Sequence, residues 1–130
     1  MYDIKKARLI TNNPKVVEKY KDIIEIDECP TYYDVLIKAR DYVYDKHVLL
    51  THPQASSLKP NQTLYRTIAV YPKHEDENNI SDIMLIDKCI QVFDEWQEIA
   101  ASPKSYDEKV ASDFQTIDLS IVDGFMPRIA

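Results

Sequence analysis

Short β-prone runs alternate with stretches of helical periodicity through the first half of this chain, and that alternation decides most of what it can fold into. ARLIT (7–11), IIEI (23–26) and HVLLT (47–51) are brief apolar or β-branched runs, and TIAVY (67–71) is a further one. PKVVEKYKD lies between the first two, about two helical turns long, with Pro14 at its first position behind the turn signal NNP. Between the second and third, Tyr32, Val35, Leu36, Ala39, Tyr42 and Val43 share one helical face, while Lys38, Asp41 and Asp45 take the other. Thr31 is placed to cap that helix, with Asp34 in capping-box position.

The second half reads as two long helices behind a polar connection, PKHEDENN (72–79). ISDIMLIDKCIQVFDEWQEIAAS carries a wide apolar arc: Ile83, Ile86, Ile90 and Phe93 form one stripe, and Leu85, Cys89, Val92, Trp96 and Ile99 the next. An arc so wide is expected to pack on the sheet and on the last helix together. SPKSYDEKVASDFQTIDLSIVDGF supplies that last helix, with Val110, Phe114, Ile117 and Ile121 as its stripe, Ser105 as a cap and Gly124 as its stop. The acidic residues on both helices read as solvated faces.

The order β-α-β-α-β-β-α-α predicts an α/β fold: one domain over residues 1–130, in two or three layers, with a short, mostly parallel, Rossmann-like four-stranded sheet. Helical crossovers imply parallel pairing among the first three strands. The fourth, with no helix before it, is expected to be antiparallel or to lie at an edge. Orders 2-1-3 and 3-2-1 both suit these elements.

Composition excludes several functions. A net charge of −6 opposes broad binding to nucleic acid or an anionic membrane, since both need a positive surface. The single glycine, Gly124, rules out a GxGxxG turn and a P-loop, and no cofactor is implied. His47, His52 and His74 are scattered without metal-ligand spacing, so no metal site is expected. Cys29 and Cys89 form no CxxC, MYDIKKARLI lacks the core of a secretory leader, and no apolar run reaches membrane-spanning length; the expectation is a cytoplasmic protein.

The polar stretch THPQASSLKPNQTLYRT (51–67), directly behind an apolar strand, marks the candidate site. Ligands in open α/β sheets gather beyond the carboxyl ends of parallel strands, which selects this loop and TNNP (11–14). Together they offer Thr11, Asn12, Asn13, Thr51, His52, Ser56, Ser57, Lys59, Asn61 and Thr63, with Arg66 at the margin. Hydroxyls, amides and cations of this kind suit a carboxylate, phosphate or sugar-like group. The helix opening at Pro14 adds backbone N–H groups that favour an anion. The same residues also fit a structural loop: asparagines before proline cap helices, and serines and prolines form turns. Tyr33, Ile37 and Tyr44 make a second helix face, suited to extra core or to a homodimer contact.

LITNNPKVVEKY, the THP…S…KPN.T.Y pattern of the polar loop and DFQTIDLSIV occur in this order along nearly the whole chain, and they resemble the GrdX family. Its members are small accessory proteins encoded alongside glycine reductase and related selenium-dependent reductases of amino-acid-fermenting anaerobes. The family loop reads close to THPLSGSVKPNETPYKS. Thr51, His52, Pro53, Ser57, Lys59, Pro60, Asn61, Thr63 and Tyr65 match it; Gln54, Ala55, Ser56, Gln62 and Leu64 depart from it. Ser56 replaces a glycine, which shifts the expectation from a backbone cradle to side-chain contacts. The resemblance implies a genomic setting and carries no established activity to transfer. The leading functional reading is thus an accessory protein that binds a small anionic metabolite, or a component of a glycine-reductase-type system, at the two loops. The alternatives are an enzyme using His52 as general acid or base near Ser57, and a pure protein-interaction module.

Overall fold

The structure is a computed structural model that describes residues 2–53, 64–99 and 108–129, without the side chains of 96–99. Ser56, Ser57, Lys59, Asn61 and Thr63 therefore lie outside the described residues, as do the Ser105 cap and the side chains of Trp96 and Ile99. The elements are β1 (Arg8–Thr11), α1 (Pro14–Tyr20), β2 (Glu25–Glu28), α2 (Tyr32–Tyr44), β3 (His47–Leu49), β4 (Thr67–Pro72), α3 (Ile80–Ile99) and α4 (Glu108–Ile129).

Local chemistry sets the starts of α1 and α2 as expected, whereas β2 begins two residues later than the IIEI run (23–26), leaving Ile23 exposed in the turn before it. Asn13 caps α1 by accepting from the Lys15 amide, and Pro14 opens the helix. Thr31 Oγ1 accepts from the Asp34 amide at 3.1 Å and donates to its carboxylate at 2.8 Å, which starts α2. Lys46, the one described residue other than glycine with positive φ (61°), makes the turn from α2 into β3.

The sheet order is β2-β1-β4-β3. β1 and β2 pair in parallel, but β4 pairs antiparallel with both β1 and β3. This corrects the expected sheet and decides between the alternatives for the fourth strand. The sheet is mixed rather than mostly parallel, and of the two expectations for the fourth strand the antiparallel one holds while the edge position does not, since β4 is central. β1, β2 and β3 do run in one direction, as their crossovers require; β4 inserts between β1 and β3 and removes their direct pairing. The order offers no confirmation of a Rossmann-like sheet.

Alternate residues of β1 and β4 feed two cores, giving three layers. Ile10, Ile68 and Val70 face α2 and α3, packing against Val35, Leu36, Ala39, Ile86, Cys89 and Phe93. Leu9 and Ala69 face α1 and α4, against Val16, Tyr20, Val122, Phe125 and Met126. α3 and α4 thus serve opposite faces, which corrects the expectation that they pack together. α4 also runs through Gly124 to Ile129, and its buried stripe is Val122, Phe125, Met126 and Ile129. Ile117, placed on the stripe from sequence, is exposed. Glycine stops a helix by turning left-handed, and Gly124 does not.

The two sheet edges are treated differently. On β3, the outward His47 carbonyl accepts from Asn79 Nδ2 at 2.9 Å, and the outward Leu49 amide donates to Asp82 Oδ2 at 3.1 Å. Asn79 also donates to the Val43 carbonyl at 2.8 Å, tying the end of α2 to the same plug. These side chains close that edge to further strands. The β2 edge has no such cover among the described residues.

Candidate functional site

The carboxyl ends of β1, β2 and β3 and the start of β4 meet at one edge of the sheet, with Thr11 opposite both Glu28 and Thr67. The loops after the first and third strands therefore start from the same edge, as their crossovers imply. Among the described residues, the buried polar or charged ones, Thr11, Asn13, Arg66, Thr67 and Asp118, all stand at this edge.

Four of them form one hydrogen-bonded chain. Thr67 Oγ1 donates to Asp118 Oδ2 at 2.7 Å, which commits its only hydroxyl proton. In the 2.7 Å contact between Thr11 Oγ1 and Thr67 Oγ1, Thr11 must then donate. Thr11 in turn accepts from the Asn13 amide at 3.0 Å. Asn13 Nδ2 closes the circuit by donating to Asp118 Oδ2 at 3.0 Å and to the Gln115 carbonyl at 2.9 Å. Buried polar groups are tolerated only when satisfied this fully.

Asp118 feels opposing influences. Burial, with 3% of its surface exposed, pushes its carboxyl above the ordinary value. Donation from Asn13 and Thr67 and the positive field of Arg66 pull in the other direction, and burial prevails. Arg66, 2% exposed, lies with its guanidinium carbon 5.4 Å from the Tyr32 ring centre, and its Nε donates to Tyr32 OH at 3.2 Å. Burial raises the Tyr32 phenol, and it pushes the Cys89 thiol up to about 11; Arg66 offsets part of both.

Asn12 fastens the entry to β4. Its Oδ1 accepts from the Arg66 amide at 2.9 Å, and its Nδ2 donates to the Leu64 carbonyl at 2.6 Å. Gln115 Nε2 donates to Tyr65 OH at 3.0 Å, and Lys15 Nζ donates to the Ser112 carbonyl, Ser112 Oγ and Thr116 Oγ1 at 2.7–3.0 Å. Thr51 Oγ1 accepts from the Ala69 amide at 3.1 Å, supplying a sheet bond where the β3 backbone has ended.

Thr11, Asn12, Asn13 and Thr51 therefore meet at the predicted edge with their side chains engaged by the protein, and His52 is exposed beside them. The first turn of α1 offers no free anion cradle. Pro14 has no N–H, the Lys15 amide is capped by Asn13, and the Val16 and Val17 amides donate to the Asn13 carbonyl. Sequence reasoning missed Thr67 and Gln115, and it misread Asp118 as solvated. Its signal was present: Asp118 falls at helical spacing between Phe114 and Val122, an acid on an apolar stripe. Among the described residues no cluster of His, Cys, Asp or Glu could hold a metal ion.

A three-layer α/β protein whose described buried polar residues gather at the strand ends is the class defined by this fold and edge. Within it the chain belongs to the GrdX-like protein family, whose model matches residues 8–127. No curated protein and no solved structure matches it. Among the described residues no helix is long and apolar enough to cross a membrane.

Proposed function

We propose that this member of the GrdX-like family is a cytoplasmic accessory protein of a glycine-reductase-type system, and that it holds a small anionic ligand at the edge formed by residues 11–13 and 51–66. The observation that carries this reading is the convergence of the buried polar residues on that edge, with the Arg66 guanidinium among them. Thr11, Asn12, Asn13 and Thr51 act as the fixed floor, since their polar atoms are already engaged. His52, Ser56, Ser57, Lys59, Asn61 and Thr63 are the residues assigned to the ligand, with Lys59 neutralising its charge. Arg66 supplies a positive background from below. No observation favours His52 as a general acid or base over this reading.

Thermal unfolding in the presence of inorganic phosphate, acetate, succinate and a sugar phosphate tests it. A ligand at a hundred times its Kd adds about 2.7 kcal/mol to stability, a shift of several degrees. Lys59→Ala should abolish the shift while leaving the free protein's midpoint in place. No shift with any of these anions would sink the reading.

A further inference from the structure

The contrast between the two sheet edges leads away from the strand-end site. In the parallel pairing of β1 with β2, the Cys29 amide donates to the Thr11 carbonyl at 2.8 Å. By the alternation of a parallel ladder, Asp27 and Glu25 also turn their amides and carbonyls towards β1. Ile26 and Glu28 then turn theirs outward, and no hydrogen bond to these groups occurs among the described residues. The opposite edge has the same kind of outward groups, yet Asn79 and Asp82 fill them. One edge of this sheet is closed by side chains and the other is left open.

The open edge is acidic. Glu25 and Glu28 are exposed, on opposite faces of the strand; just before it, exposed Asp22 stands beside exposed Lys5 and Lys21, so the acidic stretch is the strand itself. Asp27 is the exception, since Arg8 pairs with it at 3.2 Å and Tyr42 donates to it. The Cys29 thiol senses the field at the strand end. Burial pushes it up most, Asp27, Asp34 and Glu28 add to the rise, and Lys38 opposes it.

We infer that the outer edge of β2 is a docking strand for an extended, cationic segment of a partner protein, which adds to the sheet beside Ile26 and Glu28. Such a strand exchanges backbone hydrogen bonds with these two residues and sets Lys or Arg against Glu25 on one face and Glu28 on the other. A second copy of this chain is disfavoured in the place. Antiparallel registers that use the outward groups set Asp27 opposite Asp27, or Glu25 opposite Asp27, or Glu28 opposite Glu28. Like charges directly across a ladder are destabilising. Pro30, which has no amide proton, ends the docking edge at its carboxyl side.

The test is amide NMR on the intact protein at low ionic strength, titrated with a synthetic peptide of repeating Arg-Thr-Thr, whose successive arginines fall on alternate faces of an extended strand. The expected result is hydrogen-exchange protection at the Ile26 and Glu28 amides, at least tenfold, which fades as salt is added. An otherwise identical peptide with glutamate for arginine should give none. The double charge reversal Glu25→Lys, Glu28→Lys should weaken the arginine peptide at least tenfold, with an unchanged unfolding midpoint showing that the fold survives. Absence of protection, protection centred outside residues 25–28, equal protection by both peptides, or indifference to the charge reversal would each overturn the assignment.

Discussion

Asp118 accepts from both Asn13 and Thr67, and burial still holds its carboxyl above the ordinary 3.8. The consequence for stability has a definite sign. Below that value the group is protonated whether the chain is folded or not, and it contributes no pH dependence. As pH rises, the unfolded carboxyl ionises first, so the folded state loses ground until its own raised pKa is passed. Asp118→Asn removes that titration while keeping an oxygen for both donors. Urea unfolding from about pH 4 upward should therefore show the variant gaining on the wild type as pH rises, and a pH-independent difference would refute the account. Thr67→Val removes a hydrogen bond to the carboxylate and strands the Thr11 proton. At neutral pH it should lower unfolding free energy by about 1.5–3 kcal/mol. The residue types in TNNP and DFQTID marked this edge in the sequence, but their partners were not legible there, because Asn13 and Asp118 meet across 105 positions of chain.

At the scale of elements, each edge and helix end makes its own prediction. Asn79→Ala leaves the Val43 and His47 carbonyls without their donor. The expected loss is about 1–3 kcal/mol by denaturant unfolding. Asp82→Ala should instead speed exchange of the Leu49 amide, which donates to Asp82, with a smaller change in global stability. Gly124 sits inside α4 with nothing within 4 Å of where a Cβ would lie. Gly124→Ala should accordingly raise stability by about 0.5–1 kcal/mol, read as a higher unfolding midpoint. Element types were legible because Asn13-Pro14 and Thr31 with Asp34 are local signals that act within a turn. The run of α4 past Gly124 was not, because glycine stops a helix only where the backbone turns left-handed, and tertiary packing of Phe125, Met126 and Ile129 carries the helix onward.

Over the whole molecule, the central position of β4 governs how the fold can be completed. Crossover rules predicted the shared direction of β1, β2 and β3, but no local signal reports that a later strand will separate two earlier ones. β1 and β3 are both hydrogen-bonded to β4, and each core takes side chains from it, Ile68 and Val70 on one face and Ala69 on the other. A chain truncated after residue 66 keeps three strands and two helices in sequence but loses the element that joins them. It should lack cooperative unfolding and dispersed amide signals, whereas the full chain shows both. Independent folding of that fragment would contradict the account.

How the two strand-end asparagines age follows from a peptide bond met earlier only as a helix start. Asparagine ages by cyclising onto the backbone nitrogen of the next residue and emerging as a carboxylate. At position 13 that conversion would set a new negative charge against Asp118, in the middle of the buried network. The nitrogen after Asn13 belongs to Pro14, which has no proton to lose and cannot close the ring. The nitrogen after Asn12 is held by its bond to Thr11 Oγ1, which restrains the same reaction one residue earlier. The two amides that fasten the strand-end edge are thus placed where the chain's own chemistry protects them from time.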